Sequence, residues 1–156
     1  MRSDTGSTSS RRSGVAGELL LDTGALVSLL DRRQTHHAAC RRVFDDWAGP
    51  VVSTEAVLTE ATHLLARVRG GPAACVEFFL AGGAVIIPSS SSSLRRVKEL
   101  LDKYADQPMD FADATLVALG EELDTSVVFT TDRTDFSVYR LGGRKAFRIL
   151  PEMDRI

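Results

Sequence analysis

Residues 18–30 read ELLLDTGALVSLL, and the fold turns on how this stretch is understood. Leu19, Leu20 and Leu21 form an unbroken apolar run. Successive side chains on a strand point to opposite faces, so three leucines in a row predict a strand covered on both sides. Asp22 ends the run, and Ala25, Leu26, Leu29 and Leu30 then recur at helical spacing. A buried strand thus passes through one acid directly into a helix.

The same alternation continues outward. A helix beginning near Thr35 carries Ala39, Cys40, Val43, Phe44 and Trp47 on one face and ends at Gly49-Pro50. Val51–Ser53 reads as a short strand. A helix over about 54–69 places Val57, Ala61, Leu64, Leu65 and Val68 inward, and Gly70-Gly71-Pro72 stops it. A helix at 73–80 and a strand at 84–87 follow. Ser89–Ser93 is a low-complexity loop, with Ser93 able to cap a helix that buries Leu94, Val97, Leu101 and Tyr104. Asp110 opens another helix, with Ala114, Leu116, Val117 and Leu123 inward. A strand at 126–131, a loop, and a last strand at 146–150 complete the chain. Strands alternating with helices predict an α/β fold with a mostly parallel sheet covered on both faces. Ligands of such sheets bind beyond the carboxyl ends of the strands.

Composition narrows the function classes. The chain has 156 residues, the size of one ordinary domain, with 44% apolar and 26% charged residues, a globular balance. A net charge of −2 excludes a broadly basic nucleic-acid binder, so any such contact must come from local arginines or bound cations. No apolar run is long enough to span a bilayer, and the start lacks the apolar stretch of a signal peptide. Cys40 and Cys75 make neither a disulfide framework nor a zinc pattern and are expected to pack in the core. A cytoplasmic protein fits these features. Residues 1–17, MRSDTGSTSSRRSGVAG, are rich in Ser, Gly and Arg and almost free of large apolar groups. They are expected to form a disordered tail ahead of one domain over 18–156.

Two acids sit at equivalent strand ends: Asp22 after 19–21 and Asp132 after 127–131. One such Asp is ordinarily a helix cap or turn residue; two aim at a common crevice. Glu60 lies three residues after Val57 and four before Leu64, on or beside an apolar stripe. Asp113, three and four residues before Leu116 and Val117, borders a buried face in the same way. An ionised carboxylate beside a core is costly unless paired or bound to metal. The bland readings are an N-terminal helix charge for Asp113, with Asp110 as the cap, and a rim ion pair with Arg67 or Arg69 for Glu60. Hard oxygen ligands suit Mg²⁺ or Mn²⁺. His36 and His37 face different sides of a helix and His63 stands alone, so no imidazole set competes for a metal.

The stretches LLLDTGALVSLLDRR, STEAVLTEATHLLAR, PMDFADATLVALGEEL and VVFTTDRTDF resemble the PIN domain, in particular VapC-type toxins of bacterial toxin–antitoxin pairs. They span about residues 18–150. The resemblance implies a three-layer α/β/α sandwich whose five parallel strands lie in the order 3-2-1-4-5, with Asp22 next to Asp132. It implies four catalytic and metal-holding acids, Asp22, Glu60, Asp113 and Asp132. Thr131 matches the small hydroxyl residue before the last Asp, Thr23 lines the site, and Asp110 and Asp135 are extra acids at its mouth. It implies an RNA substrate cut by a Mg²⁺- or Mn²⁺-dependent ribonuclease, a small cognate antitoxin, and a homodimer.

In that mechanism the acids position metal and water, and the activated water attacks phosphorus in line. Arg32-Arg33, Arg41-Arg42, Arg133 and Arg140 are the candidate phosphate contacts, against the plainer reading of solvated surface charge. The rival is a PIN-fold scaffold or regulatory protein that binds nucleic acid without cutting it; intact acids argue against it. An aspartyl-phosphate phosphatase usually carries a second Asp two residues after the first, where this chain has Gly24. Nucleotide-binding glycine motifs are absent.

Overall fold

The computed structural model describes residues 17–153. The tail expected over 1–17 therefore lies, except for Gly17, outside the described residues, as do residues 154–156. The chain runs β1 (Leu19–Leu21), α1 (Thr23–Leu30), α2 (His37–Asp46), β2 (Val51–Ser53), α3 (Glu55–Leu64), α4 (Gly71–Leu80) and β3 (Val85–Ile86). It continues through α5 (Ser91–Lys103), α6 (Phe111–Leu123), β4 (Val127–Phe129), α7 (Arg133–Val138), β5 (Arg140–Leu141), β6 (Lys145–Ala146) and β7 (Arg148–Leu150).

Five strands form one sheet in the order β3-β2-β1-β4-β7, every neighbouring pair parallel. This is the 3-2-1-4-5 order of the resemblance, the fifth place being taken by β7 because the short antiparallel pair β5–β6 intervenes. Leu19, Leu20 and Leu21 have no exposed surface, and since they alternate faces, both sides of β1 are covered. The parallel crossovers carry the helices onto the sheet. α6 is the most enclosed of them: Ala112 to Gly120 are all buried. Its outer edge is clamped to α5 by Arg96, which grips both carboxylate oxygens of Glu121 at 2.7 and 2.9 Å. Cys40 and Cys75 are buried and unpaired, as core residues. Among the described residues no helix is long and apolar enough to cross a membrane.

Several boundaries differ from the sequence reading, each for a local reason. α2 starts at His37, two residues late. α3 stops at Leu64, and the stretch to 70 is a series of turns, so Leu64 faces outward with 54% exposure. Gly70 takes φ +70°, the left-handed region, and lets α4 begin at Gly71 with Pro72 in its first turn. The cap of α5 is Ser90, not Ser93. Ser90 Oγ accepts from Ser93 N–H and Ser93 Oγ accepts from Ser90 N–H, a reciprocal capping box. That register exposes Leu94 and buries Leu100 in its place. The expected loop after β4 contains α7 and the β5–β6 hairpin, elements too short for periodicity to register.

Candidate active site

The carboxyl ends of β1 and β4 meet side by side: Leu21 pairs with Phe129, and Asp22 N–H donates to Phe129 C=O at 2.9 Å. This register puts Thr130, not Asp132, level with Asp22. The Thr130 hydroxyl donates to Asp22 Oδ2 at 2.7 Å and accepts from Asp132 N–H at 2.9 Å. Thr130 thus ties the two strand-end acids together, and β4 ends at Phe129 rather than at Thr131. The sequence signal for it was present, a second hydroxyl in the pair Thr130-Thr131, but only the register says which one faces Asp22.

Beyond these ends lies a crevice of about 220 Å³, lined by Asp22, Thr23, Gly24, Glu60, Leu64, Pro108, Asp110, Asp113, Thr131, Asp132 and Asp135. All four principal acids and all four supporting residues expected from the sequence border it. Among the described residues, six of the lining groups are carboxylates and none is a Lys, Arg or His. Helix N-termini deliver most of them. Asp22 stands at the start of α1, yet its carboxylate makes no capping bond. Asp110 does cap α6, accepting from Asp113 N–H at 2.8 Å, and Asp132 caps α7 through a long 3.5 Å bond from Asp135 N–H. The capping reading therefore holds for Asp110 and Asp132 and fails for Asp22. Glu60 comes from α3 and makes no ion pair with Arg67 or Arg69; among the described residues none of the salt bridges involves a crevice acid.

Gly24 gives the close approach needed here. A Cβ there would lie 2.2 Å from Thr131 Oγ1, so α1 or the Thr131 side chain must shift to admit one. Thr131 thus stands in the crevice wall against the first turn of α1, while among the described residues the buried Thr23 Oγ1 has no hydrogen-bond partner.

Crowding leaves its mark on the acids. Burial pushes the Asp22 carboxyl up to about 6, against the opposing Thr130 hydrogen bond and with smaller upward contributions from Glu60 and Asp110. Burial, then the charges of Asp22 and Asp110, push Asp113 up to about 8. Glu60 is raised by burial and by Asp110, and Asp135 is raised to about 6 by burial and by Asp132. Thr23 pulls Glu60 the other way, although no hydrogen bond of good geometry joins them.

The acids are not drawn into a closed shell: among the described residues no three His, Cys, Asp or Glu groups are gathered so as to hold an ion alone. Mg²⁺ does not need such a cage; it keeps several waters and binds through one or two carboxylates plus substrate phosphate. An all-oxygen donor set, unneutralised carboxylates and an orphaned hydroxyl fit a hard divalent cation.

The arginines proposed from sequence do not line the crevice. Arg32 is exposed on the loop after α1, and Arg33 lies beside Asp31 with its own side chain 77% exposed. Arg133 donates to the Ile149 and Pro151 carbonyls, and Arg140 to the Ser137, Val138 and Tyr139 carbonyls at the end of α7.

Comparison with known proteins gives a consistent set of relatives. The PIN domain profile matches residues 19–141. Ribonuclease VapC26 of Mycobacterium tuberculosis is 31% identical over 135 residues, 85% of this chain and 100% of that protein. The crystal structure of M. tuberculosis VapC20, described as a sarcin-ricin loop cleaving toxin, superposes with a TM-score of 0.68 at 20% identity, covering 74% of this chain and 90% of that one. VapBC2 from Rickettsia felis, bound to a DNA fragment from its promoter, matches with a TM-score of 0.60 at 12% identity, covering 85% and 98%. At these identities the two structures speak for the fold.

Proposed function

This chain belongs to the PIN-domain family, and on that premise we propose that it is a divalent-metal-dependent endoribonuclease and the toxin of a toxin–antitoxin pair. One observation carries the reading: among the described residues, six carboxylates and no cationic side chain line a single crevice. Such a crevice repels an RNA phosphate unless a cation sits between them.

Asp22, Glu60, Asp113 and Asp132 are assigned as the residues that hold Mg²⁺ or Mn²⁺, with Asp110 and Asp135 as flanking acids at the mouth. When bound, the ion lowers the pKa of water and offsets charge that builds on the phosphate. The protein's part is orientation. Thr130 fixes one oxygen of Asp22, and the N-termini of α1, α6 and α7 converge on the crevice and favour negative charge there. Arg32 and Arg33 are assigned to RNA phosphates flanking the cut, whereas Arg133 and Arg140 brace the backbone around α7. A scaffold role gives no account of four acids placed where their charge opposes nucleic-acid binding.

A small antitoxin fits the same chemistry. An arginine from it, inserted among the acids, would replace the cation with charge-assisted hydrogen bonds. We assign self-association to the apolar hollow beside the crevice, formed by Ala56, Thr59, Glu60, His63, Asp110, Phe111 and Ala112, with Phe111 49% exposed. The site of action is the cytoplasm, where the RNA substrate resides. The test is end-mapping of RNA incubated with purified protein in Mn²⁺ or in EDTA. Defined cuts in Mn²⁺ alone support the proposal; bound but uncut RNA under both conditions returns the scaffold reading.

A further inference from the structure

Tyr139 caps the C-terminal end of α7, has no exposed surface, and donates its hydroxyl to Asp113 Oδ2 at 2.9 Å. Its ring is held edge-on by Tyr104 and Phe136, both with centroids 5.2 Å away, and Phe136 leans in turn on Phe147 at 5.7 Å. The backbone beneath is fixed as well. Arg140 N–H donates to the Tyr104 hydroxyl at 3.0 Å, and the Arg140 guanidinium spans the last carbonyls of α7. A phenol placed so firmly has no freedom to find another partner. Buried tyrosine hydroxyls need one, and a carboxylate is the strongest acceptor available. Asp113 is itself pinned at the start of α6 by the bond from its own N–H to Asp110. Among the described residues no hydrogen bond of good geometry reaches its Oδ1, although the Asp110 backbone pulls the carboxyl pKa down slightly, and the residue lines the crevice.

We propose that Tyr139 is a positioning residue of the active site: it turns Asp113 so that Oδ2 stays on the protein side and Oδ1 is the one oxygen offered to the metal. The inference rests on the metal-site reading above. It places a residue of the late α7–hairpin region, far in sequence from the acids of β1 and α3, in control of how one acid meets the ion. Outer partners of metal ligands commonly change metal affinity by about 10–100-fold when removed.

Tyr139→Phe deletes one oxygen and keeps the ring contacts. Mn²⁺ titration of the full chain, read by electron paramagnetic resonance of the free ion without RNA, should show affinity about 10–100-fold weaker than in the parent. Cleavage should recover in large part at saturating Mn²⁺. Tyr104→Phe, which loses a backbone partner instead of an acid, should bind Mn²⁺ like the parent. Parental affinity in Tyr139→Phe, or equal losses in both variants, overturns the inference and leaves the metal site standing. Absence of Mn²⁺ binding by the parent overturns both. Should Tyr139→Phe not fold, the parent still decides, because Tyr104 and Tyr139 are its two tyrosines. With ¹³Cζ-labelled tyrosine, Mg²⁺ should shift the Tyr139 resonance and leave Tyr104 in place, the two assigned through Tyr104→Phe. Two unmoved or two equally moved signals refute the role.

Discussion

Asp22→Asn should make the metal-free protein more stable while destroying its activity. Asp22 is 5% exposed, and burial raises its carboxyl from 3.8 to about 6. Above pH 6 the folded state must hold an ion it disfavours, and a shift of about two pH units corresponds to roughly 3 kcal/mol. Asparagine removes that cost and keeps an oxygen to accept from Thr130. It also buries an amide NH₂, which returns about 1–2 kcal/mol. The net gain is about 1–2 kcal/mol, or roughly 2–8 °C in Tm for a domain of this size. Bound Mn²⁺ reverses the order, since at a hundred times its Kd it adds about 2.7 kcal/mol to a site that Asn no longer completes. The assay is a pair of melting curves per protein at pH 8, in EDTA and in Mn²⁺, beside RNA cleavage. If the variant melts lower in EDTA and still cuts RNA, Asp22 is a structural residue and the reasoning is wrong.

The raised carboxyls also give the metal-free parent a definite pH dependence. The folded values of Asp22 (about 6) and Asp113 (about 8) lie above their unfolded value of 3.8, so the stability they contribute is present below that value and lost as pH rises through 6 and 8. Urea denaturation in EDTA should therefore weaken from pH 5 to pH 8.5, and saturating Mn²⁺ should flatten the slope; a rise over that range would contradict the assignment. Gly24→Ala should cost about 1–3 kcal/mol through overpacking against Thr131 Oγ1, and Thr131→Ala in the same chain should restore most of it, as a double-mutant cycle would measure. Asp132→Asn should change metal-free stability by no more than a few tenths of a kcal/mol, because Asn caps as well as Asp; cleavage should nonetheless be lost. Phe111→Glu should shift the sedimenting species to monomer if the hollow beside the crevice joins two copies.

Much of this architecture was legible because its signals are local. Leu19–Leu21 reads as a strand buried on two faces, which places the acid that follows at its carboxyl end. Asp113 beside Leu116 and Val117 gave its own burial away by spacing. Short elements were not legible: α7 has six residues and the hairpin strands two each, too few to show a period. Their omission hid Tyr139, whose partner Asp113 is 26 residues away. The pairing of Thr130 with Asp22 spans 108 residues and depends on the β1–β4 register. Serine caps were misplaced because five consecutive serines offer equivalent hydroxyls, and only the reciprocal bond between Ser90 and Ser93 selects one.

Direct measurement of Mn²⁺ bound by the RNA-free protein, set beside cleavage of a structured RNA by the same preparation, tests the central claim. The account predicts saturable Mn²⁺ binding and defined cuts in the parent, with both lost in Asp113→Asn and the cuts abolished by EDTA. Undiminished cleavage in EDTA, or by Asp113→Asn, would show that the acidic crevice is not the place where RNA is cut.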